Sequence, residues 1–377
     1  MKKLVWPLIV IFFFLGGLTV VLVGLFVLPP EPRAESVEAI SEKWSGSGHA
    51  DMDAEAFIHW DEDEPAQIPA RCAKCHSAYG YLDYLGEDDT ESNMGTAVDG
   101  PAQTGSVVSC LVCHNDSAHI KEVAHFPSGE TITNLESSAN CAECHQGTRS
   151  GVTVSEAIID LPEDEINEDL GFINVHYKIA AAVRYGSEVK SGYEFPGKTY
   201  VGFYEHTDDF QLCVDCHDPH SLLITPDECA ACHSAVSNYG DFRDVRAEDT
   251  PDYDGDGDTI EGVYGEITTM HDLLYEAIQL YAAEILEQPI LYAFDFPYWF
   301  VDPNGNGEID EGEISFANGY PTWTPRLVKA TYNYHFVLED PGGFMHNAEY
   351  LIQLIYDTLE DLSSVVEIDM EGLIRPE

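Results

Sequence analysis

The start of the chain separates charged from apolar residues sharply. Two lysines precede an uncharged, strongly apolar run over residues 4–28, which ends at two prolines. Roughly 20 apolar residues span a bilayer as a helix, whereas the apolar core of a signal peptide has only about 7 to 15. We therefore predict one transmembrane anchor over residues 1–29 with its lysines inside, a linker over 30–48, and the bulk of the chain on the periplasmic or extracellular side. Removal of this segment as a long signal peptide stays open.

Helical periodicity is clearest near the C-terminus. Apolar positions spaced i, i+3, i+4 predict helices over residues 268–287 and 346–362, with a loop-rich stretch between them. His271 lies on the first of these helices, and His346 begins the second.

The cysteines form five pairs, and each pair reads Cys-x-x-Cys-His. The cysteines are Cys72, Cys75, Cys110, Cys113, Cys141, Cys144, Cys213, Cys216, Cys229 and Cys232, and the histidines that follow are His76, His114, His145, His217 and His233. Two thiols at this spacing can add to both vinyl groups of one porphyrin, and the next residue can bind the iron as its proximal ligand. Disulfides need no following histidine, structural zinc sites combine such pairs two at a time, and a thioredoxin-like motif occurs once. The pattern predicts five covalent haem c groups.

This density of haems predicts an unusual interior. Porphyrins should supply much of the apolar core of a pentahaem region over residues 49–240, with short helices, long loops and little sheet. Residues 241–377 lack the motif and are interpreted as a helical cap. The predicted fold class is therefore mainly α, with a multihaem cytochrome core behind one transmembrane helix.

Residues 45–377 resemble multihaem c-type cytochromes of bacterial and archaeal respiratory chains. The segment from Asn174-Val-His176-Tyr177 to Cys216-His217-Asp218-Pro219-His220, and the helix that His346-Asn347 opens, are similar to a membrane-associated polyhaem subgroup. Both features also resemble the hydroxylamine oxidoreductase and octahaem tetrathionate reductase superfamily, although this chain has only five motifs. The resemblance implies that His220 binds a neighbouring haem and that His346 is a distal ligand.

Ten histidines remain for five distal positions. The distal candidates are His49, His119, His176, His206, His220 and His346. His119, His176 and His206 match the resembled subgroup, and His49 competes with His59 for an N-terminal role. We expect His125, His271 and His335 to be packed or exposed rather than iron ligands. Methionine could replace histidine as a distal ligand, but none of the methionines has a recognisable setting, so bis-histidine ligation is expected.

Two acidic stretches of the cap are calcium candidates. Residues 302–313 fit the EF-hand loop pattern, with the potential ligands Asp302, Asn304, Asn306, Glu308, Asp310 and Glu313. A second stretch begins equally well with Asp252, Asp254, Asp256 and Asp258, but its twelfth position is Val263, so Glu261 would have to substitute. A solvated acidic turn is the alternative for each.

The net charge of the chain limits the classes of function that it can have. Asp and Glu number 68 against 17 Lys and Arg, giving a formal charge of -51, which excludes nucleic-acid binding and opposes the approach of anionic substrates. Salt adaptation explains the same charge equally well. We expect electron transfer to redox partner proteins, such as a membrane quinol-oxidising complex or other cytochromes, in anaerobic or extracellular respiration. The alternatives are an oxidoreductase with one open haem acting on a small nitrogen or sulfur compound, and a haem-lined filament.

Overall fold

A computed structural model describes residues 35–88, 97–207, 210–247 and 250–377. The described chain consists mostly of helices and loops with little sheet, which confirms the predicted secondary-structure class. The predicted anchor over residues 1–29 lies outside the described residues. Within the described ranges, no helix is both long and apolar enough to cross a membrane.

The part of the chain that carries the cysteine motifs folds into short helices. These are α1 (Val37–Ser45), α2 (Glu55–Ile58), α3 (Ala70–His76), α4 (Ala78–Leu85), α5 (Cys110–Cys113), α6 (Asp116–His119), α7 (Ser138–Cys144), α8 (Gly151–Ala157), α9 (Ala180–Tyr185), α10 (Cys213–Cys216) and α11 (Pro226–Cys229). Short 3₁₀ turns occupy Gly186–Glu188 and Tyr239–Asp244. Buried apolar clusters in this region are small, such as the one that Tyr81, Tyr84 and Val112 form.

The C-terminal part holds the long helices. They are α12 (Val263–Glu284), α13 (Pro325–Leu338), α14 (Gly343–His346) and α15 (Ala348–Ser363), with a 3₁₀ turn at Phe316–Asn318. Helices α12, α13 and α15 pack together around the largest apolar cluster, whose members include Met270, Leu274, Tyr332, Phe336, Leu354 and Ile355. Val154, Val175 and Ile179 join the same cluster, so the motif region and the cap share a core.

Sheet structure is limited to three small antiparallel pairs in the described chain. Strand β1 (Gln67–Ile68) pairs with β2 (Ala102–Gln103), β3 (Ala124–His125) with β4 (Thr131–Ile132), and β5 (Ile290–Tyr292) with β6 (Trp299–Val301). The last pair covers one side of the aromatic core through Trp299 and Phe300, which are fully buried.

The predicted helix boundaries need adjustment. Helix α12 begins at Val263 rather than at residue 268, because its first turn follows the acidic loop directly. The second predicted helix is interrupted at Asn347, whose side chain accepts a hydrogen bond from the Tyr350 amide and caps α15. His346 therefore ends the short helix α14 at a corner between two helices.

Candidate haem-binding sites

Each cysteine motif forms a single helical turn. The amides of the motif histidines 114, 145, 217 and 233 donate to the carbonyl of the first cysteine, at 2.8 to 3.0 Å. The first motif ends helix α3 at His76. Residues three apart in such a turn lie on the same face, so the two thiols of a motif can reach one porphyrin edge.

Every motif histidine faces a second histidine from elsewhere in the chain. We call these the five imidazole pairs. The ring centres are separated by 5.7 Å in His76–His176, 6.2 Å in His114–His220, 6.3 Å in His145–His49, 6.4 Å in His217–His346 and 6.0 Å in His233–His206.

These separations fit a metal ion between the rings. Two opposed imidazoles that each bind a metal at about 2 Å keep their ring centres roughly 6 Å apart. In the first pair, the Nε2 atoms of His76 and His176 are 3.4 Å apart, slightly less than the roughly 4 Å that two such bonds span. The ten side chains thus fit five axially ligated haem irons.

Hydrogen bonds select the available ring nitrogen in several of these histidines. Nδ1 of His76 lies 2.7 Å from the carbonyl of Ala56, and Nδ1 of His145 lies 2.8 Å from that of Lys178. The corresponding contact of His217, to the carbonyl of Leu222, is 3.0 Å. A carbonyl can only accept, so each Nδ1 carries the proton and each Nε2 remains available to a metal.

The ionisation of four of the paired histidines also favours metal binding. Burial and the neighbouring His145 lower the pKa of His49 to about 4. Burial likewise lowers the pKa of His76, His176 and His206. These rings are therefore held in the neutral form that a metal ligand requires.

The distal members of the pairs are held by loops and helix ends. His49 follows α1, and its carbonyl accepts from the amide of Val108 at 3.1 Å. His176 has a positive φ of 85°, and its amide donates to Asn174 Oδ1 at 2.6 Å. His220 lies three residues beyond His217 yet pairs with His114, so one short loop serves two motifs.

Different motifs also contact one another. The Cys75 thiol lies 3.7 Å from the carbonyl of Glu143 on helix α7, and the Cys213 amide donates to the Ser138 hydroxyl of the same helix at 2.9 Å. The third motif therefore lies between the first and the fourth.

A buried charge cluster, absent from the sequence-based predictions, fills the contact between the first and third motifs. Glu143 Oε2 lies 2.8 Å from Lys74 Nζ, and Glu143 Oε1 lies 3.0 Å from Lys121 Nζ. The Tyr84 hydroxyl donates to Glu143 at 2.7 Å. Burial opposes ionisation of Glu143, but the two ammonium groups outweigh it and lower its pKa. Lys74 and Glu143 lie between the paired cysteines, at positions that the Cys-x-x-Cys-His motif leaves unspecified.

The remaining histidines do not join the pairs. His119 is exposed at the end of α6, and no ring contact within the described residues joins it to another histidine. The predicted distal role of His119 is therefore without geometric support. His59 contacts Glu55 at 2.7 Å, and His125 contacts Thr131 at 3.0 Å.

The last two histidines pack in the aromatic core. His271 donates from Nε2 to the carbonyl of Tyr334 at 2.8 Å and stacks on that ring. His335 is fully buried, with Nε2 3.1 Å from Glu339 but in poor hydrogen-bond geometry. Both side chains lie outside the five imidazole pairs.

The acidic stretch over residues 302–313 forms a closed loop. Asp302 accepts from the amides of Gly305 and Gly307, at 2.7 and 2.8 Å. Asp310 Oδ2 accepts from the amide groups of Asn304 and Asn306, at 2.7 and 2.9 Å. Glu308 is exposed, whereas Glu313 is buried and accepts from the Asp310 amide at 2.8 Å.

The stretch that begins at Asp252 repeats part of this pattern. Asp252 accepts from the amides of Gly255 and Gly257, at 2.7 and 2.9 Å. Its neighbours Asp254, Asp256 and Glu261 bring carboxylate oxygens within 4.8 Å of one another, and Asp258 is outside that group. Glu266, on helix α12, forms a second such group with Asp252 and Asp254, and the sequence pattern did not reveal it.

Known proteins support the same chemistry. The chain is similar to the C-type polyheme cytochrome OmcB of Geobacter sulfurreducens, with 25% identity over 361 residues that cover 82% of this chain and 46% of the relative. It is 24% identical over 380 residues to the C-type polyheme cytochrome OmcC of the same bacterium, covering 83% of this chain and 45% of the relative. The chain spans about half the length of these curated relatives.

The other comparisons give no match. No family model matches the chain, and no solved structure matches it. The similarity to polyhaem c-type cytochromes agrees with the interpretation of the cysteine motifs as attachment sites for covalently bound haem c.

Proposed function

We propose that the chain carries five covalent haems, each ligated by two histidines, and conducts electrons on the outer side of a cytoplasmic membrane. One observation carries the proposal: each of the five motif histidines has its own histidine partner at a separation that suits an intervening metal. Disulfide or zinc sites do not need such partners. When bound, haem iron supplies a one-electron couple.

The chain's own residues favour transfer over catalysis. The two histidines of each pair would both bind the iron of one haem, and would then leave no vacant position on that iron for a substrate. Helix α7 contacts the first motif through Glu143 with Lys74 and Cys75, and the fourth through Ser138 with the Cys213 amide, which keeps these three motifs side by side. The fourth and fifth motifs are separated by only a short loop. These contacts support one continuous group of haems.

Location and partners follow from charge and from the start of the chain. The apolar run over residues 4–28 would anchor the protein as a single pass, and the haem region would then lie outside. A net charge of -51 favours partners with basic surfaces. We propose a membrane quinol-oxidising complex or another cytochrome as the partner, in anaerobic or extracellular respiration.

Spectra of the purified, haem-loaded protein test this function. Intact mass should show five added haems. The oxidised protein should show only low-spin iron, and the reduced protein should not bind carbon monoxide. A high-spin ferric band together with carbon monoxide binding would instead identify an open haem, and would favour an oxidoreductase acting on a small nitrogen or sulfur compound. A smaller mass increment would reject the pentahaem assignment.

A further inference from the structure

The loop over residues 252–261 brings several carboxylates together beside the start of helix α12. Asp254, Asp256 and Glu261 each contribute an oxygen to one group, and Asp252, Asp254 and Glu266 form an adjoining group. Asp254 belongs to both. It is only 8% exposed, so most of its side chain lies inside the protein.

Two oxygens in this cluster are buried without a donor. Oδ2 of Asp254 and Oε1 of Glu261 accept no hydrogen bond from the described residues. The Thr269 hydroxyl interacts with the Asp254 carboxylate and lowers its pKa, but it does not form a hydrogen bond with Oδ2. An ionised oxygen that is buried and unpaired is costly, so both atoms are suited to a ligand that the protein itself does not supply.

The basic side chain beside the cluster, Arg246, is already paired with other groups. The Arg246 guanidinium contacts Glu266 Oε1 and also donates to the carbonyl of Glu261 at 3.1 Å. Burial raises the pKa of Asp254 and of Glu261, and the surrounding carboxylates raise both further. The cluster is therefore repulsive when all its members are ionised.

The surrounding backbone fixes the position of these groups. The amides of Tyr253 and Asp254 donate to Glu266 Oε2 at 2.7 and 2.9 Å, which ties the loop to α12. Glu261 folds over the first turn of that helix, where a Cβ at Gly265 would lie 1.8 Å from its Oε2. Glycine at position 265 thus leaves room for the Glu261 carboxylate in this position.

We propose that Asp254, Asp256 and Glu261 bind one divalent cation, with Asp252 at the edge of the site, and that the site prefers Ca²⁺ to Mg²⁺. Carboxylate oxygens are hard ligands, and a site built largely from a loop suits the flexible, high coordination of Ca²⁺ better than the strict octahedron of Mg²⁺. Glu261 takes the place of the glutamate that the sequence pattern lacks at Val263. Asp258 is not a ligand.

The cation would connect three parts of the cap. The Tyr253 carbonyl accepts from the amide of Ile374 at 2.9 Å, so the loop also holds the C-terminal segment. The same loop holds the start of α12 through its hydrogen bonds to Glu266, and α12 packs on α15. Cation binding should therefore stabilise the cap without any change at the five imidazole pairs.

Equilibrium dialysis of the full-length, haem-loaded protein against Ca²⁺, in excess Mg²⁺, tests the proposal. Asp254→Asn and Glu261→Gln should each lose one bound Ca²⁺ per chain, or weaken that ion at least tenfold. Asp272→Asn is the matched control, because it removes an exposed carboxylate of α12 outside the cluster, and it should bind as the wild type does. Calcium binding by Asp254→Asn and Glu261→Gln equal to that of the control would overturn the proposal.

Thermal unfolding separates loss of the ion from a folding defect. With chelator, Asp254→Asn should melt at or above the wild-type temperature, since it removes a repulsive charge. With saturating Ca²⁺, the order should reverse, because only the wild type gains from the ion. The proposed role would be contradicted if Ca²⁺ did not change the melting temperature of the wild type. It would also be contradicted if Asp254→Asn were less stable than the wild type in chelator.

Discussion

Nδ1 of His346 lies 2.6 Å from Oδ2 of Asp340, and this contact leaves Nε2 of His346 available to a metal shared with His217. Asp340 is buried. Although burial opposes protonation, the Asp340 carboxylate raises the pKa of His346 above its ordinary value. A carboxylate behind a ligating imidazole orients the ring and increases its basicity, which favours the oxidised metal.

Asp340→Asn should therefore raise the reduction potential of one haem. The amide keeps the shape but loses the negative charge. A change of about 1 kcal/mol in the charge-assisted hydrogen bond corresponds to a few tens of millivolts for one electron. Spectroelectrochemical titration measures the shift, with Asp369→Asn, an exposed carboxylate, as the control. A titration curve that coincides with wild type would remove the proposed role of Asp340.

The histidines at positions 49 and 119 provide a direct contrast. Both are distal candidates by sequence, but only His49 faces a motif histidine, at 6.3 Å from His145. His49→Ala should open one iron, so that the reduced protein binds about one carbon monoxide per chain, and added imidazole should compete with it. His119→Ala should bind none. Carbon monoxide binding by the His119 variant, or its absence in the His49 variant, would refute the assigned pairs.

Lys121 should contribute more to stability than an exposed lysine. Its side chain is 4% exposed beside the fully buried carboxylate of Glu143, whereas Lys190 is 52% exposed beside Glu130. Lys121→Met leaves Glu143 with Lys74, Tyr84 and Gln146 but removes one of its two ammonium partners, and should cost on the order of 2 kcal/mol. Lys190→Met should cost little, because solvent screens its ion pair. Denaturant unfolding of both variants measures the difference, and equal losses would contradict it.

The pair of Asp164 and Arg326 should make stability depend on acid pH. Arg326 Nε donates to Asp164 Oδ1 at 2.7 Å, and this hydrogen bond lowers the pKa of Asp164. Because the folded-state pKa lies below the unfolded value of about 3.9, the contribution is present above that pH and is lost as the pH falls through the folded value.

Asp164→Asn tests this dependence. With the carboxylate 37% exposed, solvent screening limits the loss at pH 7 to about 0.5–1 kcal/mol. The difference between wild type and variant should shrink as the pH falls below about 4. Unfolding free energies across this pH range check the trend, and a difference that grows in acid would contradict it.

The sequence predicted the local features of the site better than the long-range ones. Five Cys-x-x-Cys-His motifs are visible because their chemistry lies within one helical turn. Which histidines face them depends on contacts between distant segments, such as that of His49 with His145, and the resemblance to the polyhaem subgroup also proposed His119. The predominance of helix and loop was predictable because so many haem motifs leave little room for sheet.

Helix α13 shows why other parts escaped prediction. It buries almost every residue, including Arg326, Lys329 and Asn333, so its polar positions do not mark a solvent-facing side. Arg326 and Lys329 are paired with acidic groups, and Asn333 hydrogen-bonds to the backbone of Tyr193. Such buried pairs remove the periodicity from which amphipathic helices are recognised. Glu143 escaped because its partners Lys74 and Lys121 are distant in sequence, and Asp340 because its role depends on the turn that brings it to His346.

A haem-resolved structure of the full-length holoprotein tests the central claim most directly. Five irons should each lie between the two histidines of one imidazole pair, and His119 should bind none of them. An iron with an open axial position, or one bound by a residue outside the five pairs, would contradict the account.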